Sequence, residues 1–160
     1  MAISTVGYTI GMRQAVRAIV VKDDHLLVMK RNKFGHEYYS LVGGGIDMGE
    51  TAEQSLYREV AEETGINIAN HRLVIVEDAG SMYGIQHIYQ CDYVSGEPAL
   101  APDSAEALIQ AGGQNLFQPM WLPLADLPSA NLLPIELKEL LLANLANNFA
   151  NAPIALTIRS

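Results

Sequence analysis

The sequence predicts a single domain of the α+β class. Three observations carry that reading. The chain has 160 residues, enough for one domain with a real core. Several short runs rich in Val, Ile and Leu are separated by turn residues, as strands are. Two segments, beginning at Thr51 and Pro134, carry apolar residues at helical spacing.

Residues 1–12 read as a loose arm or a short edge strand. Arg13 to Lys22 is strand-like, Asp23-Asp24 reads as a hairpin turn, and His25 to Lys30 as the return strand. Asn32 to Glu37 reads as a polar loop. Tyr38 to Val42 is a short strand feeding a tight turn at Gly43-Gly44-Gly45. Thr51 followed by Gln54 is a capping-box pattern that starts a helix, and Gly65 stands where its C-terminal cap would be. Ala52, Leu56 and Val60 form its apolar stripe.

His71 to Glu77 and Ile85 to Val94 read as strands around a turn with Gly80, Ser81 and Gly84. Cys91 lies in the second strand as a small buried residue. Ser95 to Pro98 is a turn, and Ala105 to Ala111 a helical turn ended by Gly112-Gly113. Phe117 to Leu124 is a further strand. Pro134 opens a last helix, continued by Ile135 to Asn147, with Leu137, Leu140, Leu141 and Leu145 on its apolar face.

Composition narrows the function. The net charge is −8, and the ten Lys and Arg form no block, which argues against a binder of polymeric nucleic acid. It does not argue against a small anionic nucleotide, since a metal can bridge two negative partners. The single Cys91 cannot form an internal disulfide, which suggests a reducing, cytoplasmic compartment. The N-terminus lacks a basic region followed by an apolar core, so no signal peptide is expected. No apolar run reaches the length of a membrane helix, so no membrane partner is expected.

The chemistry concentrates in Gly44 to Ile66, GGIDMGETAEQSLYREVAEETGI. Glu59 is i,i+3 from Glu62 and i,i+4 from Glu63, so the three project from neighbouring positions of one helix face. Like charges this close repel, and a hard divalent cation would reverse the sign. A solvated acidic face is the ordinary fate of such a run. The wider pattern argues otherwise. Gly44, Glu50 and then Arg58-Glu59-Val60-Ala61-Glu62-Glu63-Thr64-Gly65-Ile66 resemble the Nudix hydrolase box at every fixed position.

That resemblance implies an α/β/α sandwich around a mixed β-sheet, spanning residues 1–160. It implies hydrolysis of a pyrophosphate bond in a nucleoside diphosphate-linked substrate or a (deoxy)nucleoside triphosphate, with Mg²⁺ or Mn²⁺ as cofactor. Carried over residue by residue, it implies Glu59, Glu62, Glu63 and the carbonyl of Gly43 as metal ligands, Arg58 as the partner that orients a glutamate, and Glu50 either as the holder of a water next to the metal or as a brace between the loop and the helix. Val42 stands where the family usually has proline, which leaves the rigidity of the glycine segment open.

The general base is read as Glu59, with Glu106 as the late-loop candidate and Asp103 as its competitor. Arg13 and Arg17 share one strand face and could touch phosphate. Phe34, Tyr38, Tyr39, Tyr83 and Tyr89 are candidates to stack on a base, with Tyr39 and Tyr83 preferred. The four histidines have no metal-ligand spacing and read as structural or surface residues. The expected partner is a small nucleotide; a homodimer is left open. The alternative is a non-catalytic nucleotide sensor of the same fold.

Overall fold

The computed structural model describes residues 13–158; the expectation for residues 1–12 lies outside them. In chain order the elements are β1 (Gln14–Lys22), β2 (His25–Lys33), β3 (His36–Ser40), β4 (Val42–Gly45), α1 (Ala52–Thr64), β5 (Asn67–Asp78), α2 (Gly80–Tyr83), β6 (Ile85–Ser95), α3 (Ala105–Gln110), β7 (Asn115–Pro123), a 3₁₀ turn (Leu124–Asp126), α4 (Ile135–Asn144) and β8 (Ile154–Thr157).

The sheet runs β3-β2-β1-β6-β5-β8, with β4 added to β1 and β7 to β2. Pairing is mixed: β1 runs parallel to β6 and antiparallel to β2 and β4. The β1–β2 hairpin turns on Asp23 and Asp24, both in the left-handed region that short acidic side chains tolerate. The two strands are in register only near that turn, at Val21↔Leu26 and Lys22↔His25. Beyond it β1 pairs with β4 and β2 with β7, so the sheet splays open into a cleft.

Helices cover both faces, which gives the expected α/β/α sandwich. Strand alternation assigns the residues of β1 to the two layers. Val16, Ala18 and Val20 pack with Leu56 and Val60 of α1. Ile19 packs with Leu137 and Leu141 of α4 and with Phe149. Leu56 and Leu141 are fully buried, each contributing about 1.5–3 kcal/mol of burial free energy. Among the described residues no helix is long and apolar enough to cross a membrane.

Three local readings are corrected by the structure. Gly43-Gly44-Gly45 is not a turn but part of β4, paired with Arg17, Val16 and Ala15. The segment 32–37 is not a loop: β2 continues to Lys33, Phe34-Gly35 makes a tight turn, and β3 begins at His36. β8, pairing in parallel with β5, had no counterpart in the sequence reading.

Glycine is required at Gly43 on steric grounds. Its φ is +145°, and a Cβ there would lie 2.0 Å from the carbonyl oxygen of Val16, which is backbone and cannot swing away. Gly43→Ala is therefore expected to destabilise the fold by about 2 kcal/mol or more, read as a fall in the midpoint of denaturant unfolding. An unchanged midpoint would contradict this packing.

Candidate active site

Helix α1 sets the phase of the acidic residues. The Thr51 hydroxyl accepts the Gln54 N–H at 3.1 Å, and the Gln54 side-chain oxygen accepts the Thr51 N–H at 2.9 Å, so the capping box is complete. Gly65, at φ +73°, closes the helix with its N–H on the Ala61 carbonyl. Between these caps, Leu56 and Val60 anchor the buried stripe, and Glu59 and Glu63 turn toward β4.

There two glutamates of the box meet a third from elsewhere. Glu59, Glu63 and Glu106 each offer an oxygen within 4.8 Å of the others. Glu63 is only 6% exposed and accepts the Gly43 N–H at 3.1 Å. Burial pushes its carboxyl up to about 8, against the opposing pull of Arg17 and the Gly43 N–H. Burial also raises Glu59, partly offset by its hydrogen bond from Arg58. Gly44 makes room for this carboxylate: a Cβ at that position would lie 1.8 Å from Glu59 Oε2.

Glu106 rides on α3, whose N-cap is Ser104 with its hydroxyl on the Ala107 N–H at 3.1 Å. The segment before it is tied to the end of α1 by two main-chain bonds, Ala99 N–H to the Thr64 carbonyl and Ala101 N–H to the Glu62 carbonyl. Behind it, the Gln110 side-chain oxygen accepts the Phe117 N–H at 2.7 Å. Asp103 is exposed and is not in the cluster. Glu62 is not in it either: its side chain is 50% exposed and accepts from Arg58 Nη1 at 3.1 Å.

Arg58 gathers the surrounding carboxylates. Its Nε and Nη2 donate to the two oxygens of Glu50 at 2.7 and 2.8 Å, a bidentate pair. Its Nη1 donates to Glu59 at 2.6 Å, and Asp47 lies 3.2 Å away. Arg58, then the Ser55 hydroxyl at 2.6 Å, hold Glu50 down to about 2. Glu50 thus clasps the helix to its entry loop, as a brace would, and Arg58 has a wider set of partners than the single glutamate expected.

The cluster opens on a cavity of about 920 Å³ in the cleft between the splayed strands. Arg13 and Arg17, read as candidates to touch phosphate, and Tyr83, read as a candidate to stack on a base, line it. Tyr39 is not among the lining residues: it packs against the α4-side core, and the adjacent Tyr38 faces the cavity instead. Phe34 is exposed at the hairpin tip, and Tyr89 is buried on the α1 side. Two contributors went unforeseen. Phe117, which carries the Arg31 guanidinium 3.8 Å from its ring centroid, was read only as a strand residue. Glu77 reaches the cavity from β5 and is 4% exposed; burial pushes it up to about 7. A lone acid at the end of an apolar strand gave the only available signal for it.

An α/β/α sandwich that converges three carboxylates, one of them buried, on a cavity also lined by arginines is an architecture suited to binding cations and phosphates. Residues 11–142 match the NUDIX domain family, and the chain belongs to that family. It is similar to the NAD-capped RNA hydrolase NudC of Photobacterium profundum, with 32% identity over 110 residues, or 69% of this chain and 37% of that protein. The chain spans only 30% to 38% of the length of such curated relatives. A MutT NUDIX hydrolase structure from Burkholderia pseudomallei is 26% identical with a TM-score of 0.55, covering 71% of this chain and 84% of its own. An ADP-ribose pyrophosphatase from Streptococcus suis is alike in fold, at 19% identity and a TM-score of 0.62, covering 91% of this chain and 98% of its own.

Two outcomes follow from this geometry. Gly44→Ala should expel the Glu59 carboxylate and, on the catalytic role proposed below for Glu59, cost at least about tenfold in kcat while the thermal midpoint moves little, because a flexible side chain and not backbone is displaced; full activity would refute that combination. The second concerns pH. An unfolded glutamate ionises near 4.5 while folded Glu63 keeps its proton to about 8. Between those values the folded state binds more protons, so stability declines as pH rises and levels off above 8. The metal-free protein should therefore melt lower at pH 8.5 than at pH 6.5, and Glu63→Gln should shrink the difference. An equal difference in the variant would assign it elsewhere.

Proposed function

We propose that the protein is a divalent-metal-dependent pyrophosphohydrolase of small nucleotides. The convergence of Glu59, Glu63 and Glu106 in one cavity with Arg13 and Arg17 carries the reading. The cluster is all hard oxygen, the donor set that suits Mg²⁺ or Mn²⁺. Burial without a cation raises both Glu59 and Glu63, so the site favours positive charge at that point. We assign Glu59, Glu63 and Glu106 as the central ligands, with the Gly43 carbonyl and Glu62 as further oxygen donors. Bound metal supplies charge neutralisation on the phosphates and lowers the pKa of water.

The chain's own residues do the rest. Arg13 and Arg17 hold the phosphates against the strand face, fixing the line of attack. Water adds to phosphorus, the bridging P–O bond breaks, and the leaving phosphate departs with its electron pair. The proton from water passes to a carboxylate, which we assign to Glu59; Glu106 competes for that role. Arg58 holds Glu59 in place and so acts as a positioning residue. Glu106→Gln separates the two: a kcat lowered with an unchanged pH profile leaves Glu59 as the base, and loss of the acidic limb transfers the role to Glu106.

A ligand pocket of this volume suits a compact nucleotide. We therefore favour a (deoxy)nucleoside triphosphate or a nucleoside diphosphate joined to a sugar or second nucleoside, over a polymer. Similar proteins include both an ADP-ribose pyrophosphatase and a NAD-capped RNA hydrolase, so the screen spans NTPs, 8-oxo-dGTP, ADP-ribose, NADH, diadenosine polyphosphates and NAD-capped RNA. A kcat/KM for capped RNA far above every small nucleotide would overturn the small-substrate reading. Tight binding without turnover of any member would favour the sensor instead. A cytoplasmic location is proposed on the single, buried Cys91.

Glu63→Gln should lower kcat at least about 100-fold, beyond the usual cost of losing a supporting group around a metal, with the protein still folded. Millimolar Mg²⁺ or Mn²⁺ should raise the melting temperature of the wild type and of Glu63→Gln less. Full activity in that variant with unchanged metal dependence would refute the ligand assignment.

A further inference from the structure

The cavity has a second polar end that the phosphate chemistry does not use. Glu77 lies on β5 in register with Gln86 of β6 and Leu156 of β8. Its carboxyl lines the same cavity as the glutamate cluster, yet it belongs to no ion pair or hydrogen bond of that cluster. The residue is 4% exposed, and among the described residues its Oε1 has no hydrogen-bond partner.

The hydrogen bonds that the neighbouring donors make run elsewhere, and none of them reaches this oxygen. Gln86 takes the Arg17 Nε–H on its oxygen at 3.1 Å and spends its amide N–H on the Tyr83 carbonyl at 2.7 Å. Arg17 Nη1 is directed at the Leu41 carbonyl at 3.4 Å. The same cavity also has apolar lining, with Ile88, Leu137, Pro134 and Ile158 among its residues, and the charges that act on Glu77 are Arg17 and Glu136. A buried acceptor left unpaired in an apolar wall is expensive unless something that enters the cavity brings a donor.

We infer that Glu77 is the base-reading residue of the nucleotide site and selects guanine. The inference rests on the nucleotide reading above and extends it. A flat heterocycle fits between apolar walls, and its edge then faces the carboxylate. The two oxygens of a carboxylate match two adjacent N–H donors. Guanine presents such a pair, its ring N1–H and its exocyclic amine. Adenine and cytosine present a donor beside an acceptor, and uracil a lone donor between two acceptors, so each sets a lone pair against the carboxylate. A site built to hydrogen-bond one edge rejects analogues that leave its buried polar group unpaired. Arg17, beside both Glu77 and Glu63, supports the ionised carboxylate and links the base end to the phosphate end.

The test separates base reading from hydrolysis. Equilibrium binding is measured by calorimetry with Mg²⁺ and the α,β-methylene analogues of GTP, ITP and ATP, which keep the base and resist cleavage. The parent triphosphates are assayed for turnover in parallel. The wild type should bind the guanine analogue about 10- to 100-fold more tightly than the hypoxanthine one, which lacks only the amine. The guanine-over-adenine preference should collapse in Glu77→Gln, whose amide is nearly the same size. Equal affinity for the guanine and hypoxanthine analogues in the wild type overturns the proposal and needs no variant. So does a preference that survives Glu77→Gln. Guanine-selective binding that depends on Glu77, without turnover of any triphosphate, sustains the base reading and rejects hydrolysis. Turnover of all bases alike does the reverse.

Discussion

The N–H of Gly43 on the carboxylate of Glu63 is the contact on which the site depends. It joins an edge strand to the helix that carries the charges, at a point where both are out of water. Gly43 can make it only because β4 lies against the backbone of β1, with no Cβ between. The same closeness lets Glu59 press onto Gly44. Two carboxylates are thereby held in a place that disfavours their charge, which is the electrostatic ground for the metal site proposed above.

Arg58 and the strand ladder share the task of keeping this arrangement stiff. The guanidinium spans Asp47 and Glu50 of the entry loop and Glu59 and Glu62 of the helix. Exposed ion pairs contribute little one at a time, but a bidentate pair within a network fixes orientation. Val42, where the family usually has proline, is fully buried and paired with Ala18. That strand pairing with β1 is what holds the segment in place.

What the sequence revealed depended on how local each determinant is. Helix α1 was legible to its caps, because Thr51, Gln54 and Gly65 act within a few residues. The sandwich came with the family resemblance. The glycine triplet was misread because its local preference is for turns, while its actual partner, β1, is distant in sequence. Tyr38 and Tyr39 were exchanged because the phase of a five-residue strand cannot be set without its neighbours. Helical spacing put Glu59, Glu62 and Glu63 on one face but could not say which oxygens converge; Glu63 is buried against Gly43 of β4, and Glu62 stays half-exposed with Arg58. Glu106 was named from its place before the last long strand, and the sheet brings it in. Glu77 carries no spacing signal at all, since its meaning comes only from being buried with nothing to bond.

The placement of Glu106 has a consequence for how the protein fails. Two of the three clustered carboxylates sit on a thirteen-residue helix locked into the core, but the third sits on the six-residue α3, none of whose residues is buried. That segment is moored by a few main-chain bonds at one end and one glutamine at the other. Segments with so little buried surface open at a free-energy cost well below that of global unfolding. The cluster can therefore come apart while every strand remains paired. On the proposed function, activity would then be lost with the opening of α3, below the temperature at which the fold melts.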